Sequence, residues 1–332
     1  MDLPLIWSGI IALAVFMYVL LDGFDLGVGI LFPLARDGAE RDRMMASIAP
    51  IWDGNETWLV LGGGGLLAAF PLAYATILPA LYLPILVMLF GLAFRGVAFE
   101  FRHNSNRNRW LWDLAFCGGS IVATCAQGIV LGAFITGFTV EGGQYAGGGF
   151  DWLTPFNLMV GACMLGGYAL LGATWLIMKT EGPLQGWAYG QALTLAVLIG
   201  IGMALVSAST PFSHPEVATR WFGMPNILFL APIPLVTLAL WVTLIRSIGH
   251  RDEVRPFLCS IGLFALGYLG LGISLFPYIV PRALTIWQAA APPESQGFLL
   301  VGVAILLPII LAYTAYAYWV FRGKVSSAGG YH

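Results

Sequence analysis

Long apolar runs alternate with short polar segments from one end of this chain to the other. A helix needs about twenty apolar residues to cross the hydrocarbon core of a bilayer. Runs of that size cover Leu5–Leu31, Trp52–Phe70, Pro79–Phe99, Leu114–Phe138, Phe156–Met178, Trp187–Ala208, Asn226–Ile245, Phe257–Tyr278 and Phe298–Phe321. The pattern predicts an all-α polytopic membrane protein with about nine transmembrane helices, forming a single integral-membrane helical domain over residues 1–332. Pro79 suits the first turn of the third helix, which separates the second run from the third. Pro232, Pro234 and Pro308 fall inside runs and predict kinks. The pairs Gly23/Gly27 and Gly128/Gly132 have the spacing of close helix packing.

Composition agrees with the pattern. Apolar residues make up 59% of the chain and charged residues 10%, with a mean hydropathy of +0.84; soluble domains carry about 25% charge. A net charge of -2 offers nothing to a nucleic acid. The distribution of charge is more informative. Of the 15 Lys and Arg, Arg36, Arg41, Arg43, Arg102, Arg107, Arg109, Lys179, Arg246, Arg251, Arg255, Arg322 and Lys324 fall on one side of the predicted spans. Only Arg220 and Arg282 fall on the other, and Arg95 lies inside the third span. The positive-inside rule then puts the N-terminus in the periplasm and the C-terminus in the cytoplasm. The first span follows Met1-Asp2-Leu3-Pro4, which lacks the basic head of a signal peptide, so it is expected to persist in the mature protein. The exterior stretches Val140–Pro155 and Pro281–Gly297 read as ordinary loops.

Against this apolar background, three acidic groups stand out. Asp22 and Asp25 end the first run, Asp53 and Glu56 open the second, and Glu100 closes the third, with Arg95 just before it. Asp22 and Asp25 lie about 25 Å past Leu5, towards the cytoplasmic end. The five carboxylates, with Arg95 about two turns deeper, are therefore expected to converge at the cytoplasmic side of three consecutive helices, where they form either a proton path or an electrostatic cluster. Asp53 also suits a helix cap, and Glu100 a headgroup-level contact with Arg102 or Arg109. The four histidines, His103, His214, His250 and His332, fall in predicted loops or at the terminus, so this chain is not expected to assemble a bis-histidine haem site. Cys117, Cys125, Cys163 and Cys259 have no metal or redox spacing and read as small core residues. No metal site and no catalytic residue is assigned to this chain.

The stretches Asp22-Gly23-Phe24-Asp25-Leu26-Gly27-Val28-Gly29, Ser47-Ile48-Ala49-Pro50-Ile51-Trp52-Asp53-Gly54-Asn55-Glu56-Thr57-Trp58 and Phe94-Arg95-Gly96-Val97-Ala98-Phe99-Glu100-Phe101-Arg102, closed by Pro308-Ile309-Ile310-Leu311-Ala312-Tyr313-Thr314-Ala315, occur in that order. The chain thereby resembles subunit II of the cytochrome bd-type quinol oxidases, and its compactness resembles the cyanide-insensitive branch. The resemblance implies a heterodimer with a subunit I that carries two b-type haems, one d-type or substitute b-type haem, and the quinol site. It implies a respiratory complex of the bacterial cytoplasmic (inner) membrane that oxidises quinol and reduces dioxygen to water. Subunit II is then inactive alone, supports subunit I, and contributes to cytoplasmic proton uptake and oxygen access. Asp22, Asp25 and Asp53 match the family's acidic motifs; Glu100 stands where relatives often have aspartate. Trp58 is a candidate lining of an oxygen path, with helix packing as the other reading. Small single-helix accessory subunits, and a quinone or lipid bound to this chain, stay open. The alternative from another class is an ion- or proton-coupled secondary transporter, against which the lack of a visible inverted repeat counts.

Overall fold

A computed structural model describes residues 1–105, 107–213 and 215–325. His214 and His332 lie outside the described residues. The chain opens with α1 (Leu3–Leu31), whose first turn is capped by Asp2 accepting from the Leu5 amide at 3.1 Å. A 3-10 turn then leads to α2 (Gly38–Ile48), α3 (Trp52–Ala69) and the short α4 (Pro71–Ala80). Next come α5 (Tyr82–Asn104), α6 (Arg109–Thr136), α7 (Pro155–Lys179), α8 (Gly182–Ser213), α9 (Pro215–Phe222) and α10 (Asn226–Leu230). The chain ends with α11 (Pro232–Gly249), α12 (Arg255–Leu275) and α13 (Pro293–Val320).

Among the described residues, eight helical segments are long and apolar enough to cross a membrane. The expected second span is α3, which is 18 residues long and falls short in apolarity because Asp53, Asn55, Glu56 and five glycines interrupt it. Pro71, not Pro79, opens a helix after α3, and Pro79 lies inside the short α4. The seventh span breaks at Ala231, where Pro232 starts α11. The two loops expected to be irregular each contain a small antiparallel hairpin. These are β1 (Val140–Glu141) with β2 (Gln144–Tyr145), and β3 (Tyr278–Val280) with β4 (Leu284–Thr285).

The bundle is built on α1 and α7, with α6 beside both, α5 against α6, and α3 against α1. Close approach of α1 and α7 depends on two glycines. A Cβ at Gly27 would overlap the carbonyl of Tyr168, and one at Gly172 would overlap the backbone of Gly27 and Val28. At the α6–α7 crossing, Gly128 and Gly132 meet Gly161 and Asn157 in the same way. Helix α13 is different: only Gln296 of it is buried. At one end Trp7 Nε1 donates to the Gln296 carbonyl and Gln296 Nε2 to that of Ala69. At the other, the Lys179 ammonium donates to the carbonyls of Phe321 and Gly323. Cys163 is exposed, unlike the core position expected for it, while Cys117 and Cys259 are buried.

Helix α2 packs across the arginine-rich end of the bundle through ion pairs. Arg102 spans Asp42 (2.7 Å) and Asp113 (2.5 Å), Arg109 also grips Asp42, and Arg41 reaches Asp113 at 3.0 Å. Burial pushes the Asp42 carboxyl up, but the hydrogen bonds from Arg102 and Arg109 outweigh it and hold the group below the usual carboxylate range. The clamp is therefore fully formed above about pH 4 and lost as pH falls through the lowered value. Substituting Asp42→Asn should loosen α2 at neutral pH, measured as faster amide exchange over residues 38–48, with the difference from the parent vanishing in strong acid. Gly27→Leu should part α1 from α7 at a cost of about 1–3 kcal/mol or more, read as a lower thermal unfolding midpoint in detergent.

Candidate functional site

Arg95 is the only fully buried basic residue among the described residues, about two turns from the end of α5. A guanidinium there stays charged, so a carboxylate has to answer it. Asp22 does, at 2.6 Å, and both side chains are fully buried. Glu56 approaches from α3 at 3.0 Å, with 29% of its side chain exposed. Three helices are thus tied through one guanidinium. The Trp52 ring, stacked on Phe99 at 4.7 Å, lies 5.9 Å from the guanidinium carbon.

Asp25, one turn beyond Asp22 and also fully buried, takes a different partner. Its Oδ2 accepts from Asn55 Nδ2 at 2.7 Å, and Asn55 Oδ1 accepts from the Tyr318 hydroxyl at 2.8 Å. Tyr318 is held in an aromatic box with Phe24, Trp175 and Phe257. A second chain runs the other way. The Tyr168 hydroxyl donates to Gln127 Oε1 at 2.9 Å, and Gln127 Nε2 donates to the Tyr18 hydroxyl at 2.7 Å. Tyr18 lies one turn from Asp22 on the same face of α1.

The structure brings Asp22, Asp25, Glu56 and Arg95 together and leaves Asp53 and Glu100 outside. Both of these are exposed, and neither makes a side-chain ion pair among the described residues. The reason is helical phase. Glu100 follows Arg95 by five residues, which turns it about 140° round α5. Asp53 precedes Glu56 by three, about 60° further round α3 from a side chain already at the cluster's edge. Asp53 sits in the first turn of α3 without capping it, since no side chain caps that helix. Glu100 does not contact Arg102 or Arg109, which are committed to Asp42 and Asp113. Trp58 is buried with Ala14 and Tyr18, and packs against Leu307 and Leu311 of α13. The residues that sequence reasoning passed over are Asn55, Tyr18, Tyr168, Gln127 and Tyr318. Their signal was a polar group inside an apolar run, which the acids overshadowed.

The cluster holds three carboxylates against one guanidinium, and several of its polar atoms have no aligned partner. These are both Asp22 oxygens, Asp25 Oδ1, and Arg95 Nε and Nη1. The Arg95–Asp22 contact is therefore a close ion pair rather than a well-aligned hydrogen bond. Buried charge in excess of its counter-charge is costly, so such a site lowers its energy by exchanging protons. Its polar groups are carboxylates, amides, phenols and one guanidinium, with no histidine, cysteine or methionine among them. Among the described residues no three His, Cys, Asp or Glu side chains gather as a metal site.

A family model described as cytochrome bd terminal oxidase subunit II matches residues 3–321. The chain belongs to that family. Cytochrome bd-I ubiquinol oxidase subunit 2 of Escherichia coli (strain K12) is 31% identical over 361 residues, covering 98% of this chain and 95% of its own. Cytochrome bd ubiquinol oxidase subunit 2 of Bacillus subtilis (strain 168) is 26% identical, covering 97% and 96%. A chain of the bd oxidase from Geobacillus thermodenitrificans shares the fold with a TM-score of 0.79 at 19% identity, covering 98% of this chain and all of that one. As a bd oxidase subunit II, the chain is a multi-pass protein of the bacterial inner membrane and part of a quinol oxidase complex with subunit I. Membership also implies that haem resides in the partner subunit, and it sets aside the transporter reading.

The geometry makes a sharp demand on Arg95. Arg95→Leu should strand Asp22 without a counter-charge and destabilise the protein by about 3–5 kcal/mol. Adding Asp22→Asn should recover much of that loss, and thermal melts of the two single variants and the double variant measure the coupling.

Proposed function

We propose that this chain is the haem-free subunit of the oxidase, inactive alone, and that its buried acids carry protons from the cytoplasm towards the dioxygen-reducing site of subunit I. The cluster of Asp22, Asp25, Glu56 and Arg95 is the observation that carries the reading. It lies nearer the arginine-rich end of the bundle, which the positive-inside rule assigns to the cytoplasm. Its members grade from the partly exposed Glu56 to the fully buried Asp22 and Asp25. That grading suits uptake: a group in touch with water collects a proton, and buried carboxylates too numerous for their counter-charge hold it. Arg95 keeps the acids from repelling one another outright. Asp53 and Glu100, exposed near the same end, act as surface carboxylates that raise the local proton concentration rather than as links inside the bundle.

The partner is then subunit I, carrying two b-type haems and one d-type or substitute b-type haem, with quinol as reductant. Trp58 serves helix packing in this reading: its ring is enclosed by α1, α3 and α13. Oxidising quinol outside while drawing protons from inside separates charge without a pump.

Two measurements test the proposal. In the intact complex, Glu56→Gln should slow dioxygen reduction by about tenfold or more, the range of a positioned proton-transfer group, while the haem spectrum stays that of the parent. Turnover unchanged in a fully haem-loaded complex would remove Glu56 from the route. Separately, the chain purified without its companion should be colourless, with haem bands only in the complex; haem bound by the isolated chain would overturn the division of labour.

A further inference from the structure

The chain of hydrogen bonds from Tyr168 through Gln127 to Tyr18 has a direction, and the direction matters for Asp22. Tyr168 donates to Gln127 Oε1, and Gln127 Nε2 donates to the Tyr18 oxygen. With its Oε1 turned to Tyr168, the amide presents its Nε2 donor to Tyr18. The oxygen of Tyr18 is therefore occupied as an acceptor, and its own proton has to go elsewhere. One turn along α1, the Asp22 carboxylate stands beside the Tyr18 hydroxyl. Neither Asp22 oxygen has an aligned hydrogen bond among the described residues, although Arg95 is 2.6 Å away. Tyr18 and Tyr168 are buried, and Gln127 is half-buried between them on α6.

We infer that Gln127 is a positioning residue for proton uptake: it fixes the Tyr18 hydroxyl so that the phenol proton points at Asp22. The amide itself passes no proton. Its contribution is to donate to the phenol oxygen, which fixes the rotation of the hydroxyl and keeps its proton directed away from the amide. The groups facing Tyr18 are Asp22 on its own helix, Tyr168 on α7, Arg95 on α5 and Glu56 on α3. Of these, Asp22 is the carboxylate that lacks a donor and lies on the same face. The inference rests on the uptake role proposed above for the cluster, and its test separates the two.

The experiment uses the intact complex with the variants Gln127→Met, Tyr18→Phe and the double variant. The infrared stretch of the Asp22 carboxylate, assigned as the band lost in Asp22→Asn, reports the hydrogen bond directly. Gln127→Met and Tyr18→Phe should shift that band in the same direction and lower turnover, by about tenfold or more for loss of a hydrogen bond to a charged group. Once Tyr18 is Phe, adding Gln127→Met should shift the band no further. An Asp22 band unmoved by Gln127→Met, in a complex with the parent haem spectrum, overturns the inference, as does a further shift in the Tyr18→Phe background. Should Gln127→Met fail to assemble, Tyr168→Phe, which frees the amide at its far end, should give a smaller shift of the same sign, and no shift overturns it. A shifted band with unchanged turnover upholds the positioning by Gln127 and defeats the uptake role of the cluster.

Discussion

A guanidinium enclosed by apolar helices is the constraint to which the interior of this protein conforms. Arg95 cannot discard its charge and its side chain is fully buried, so neighbouring helices have to present carboxylates at contact distance. This requirement fixes the rotation of α1 through Asp22, of α3 through Glu56, and of α5 about its own axis. Once those phases are set, Asn55 faces α1 and reaches Asp25, and Tyr318 reaches Asn55 from the last helix. The polar interior is a consequence of one misplaced-looking arginine being answered.

The same arithmetic separates two kinds of charge in the chain. The pairs made by Arg41, Arg102 and Arg109 with Asp42 and Asp113 lie at the bundle's end and leave no carboxylate in excess for the cations present. They bind α2 in place and have nothing left over to exchange. The interior group instead sets three carboxylates against one guanidinium. A network with no acid in excess holds elements together, whereas one with acid in excess is poised to change its protonation.

How much of this could be read beforehand follows from the same physics. Apolar run length gave the helical class, because crossing hydrocarbon imposes a length that few other structures need. It was less informative for α3, where glycines and acids dilute the run, and at Pro232, where a break looked like a kink. The acidic groups were legible as exceptions to their surroundings. Their division into inner and outer members was not, since a residue's depth can be counted along a helix but its facing depends on neighbours far away in sequence. Glu100 and Arg95 share a depth range yet point to different sides of α5. Tyr18, Gln127 and Tyr168 escaped notice for a related reason: each is unremarkable alone, and only packing of α1, α6 and α7 makes a chain of them.

Helix α13 is fastened near its two ends and touches the bundle little between them. The identity of its outward-facing middle residues is consequently decided by whatever lies outside this polypeptide, lipid or subunit. Val303 and Leu307 pack inward, but Val301, Ile305, Leu306 and Ile309 are exposed, so intolerance to exchange of one aliphatic side chain for another at those four positions is a map of the neighbour rather than of this fold.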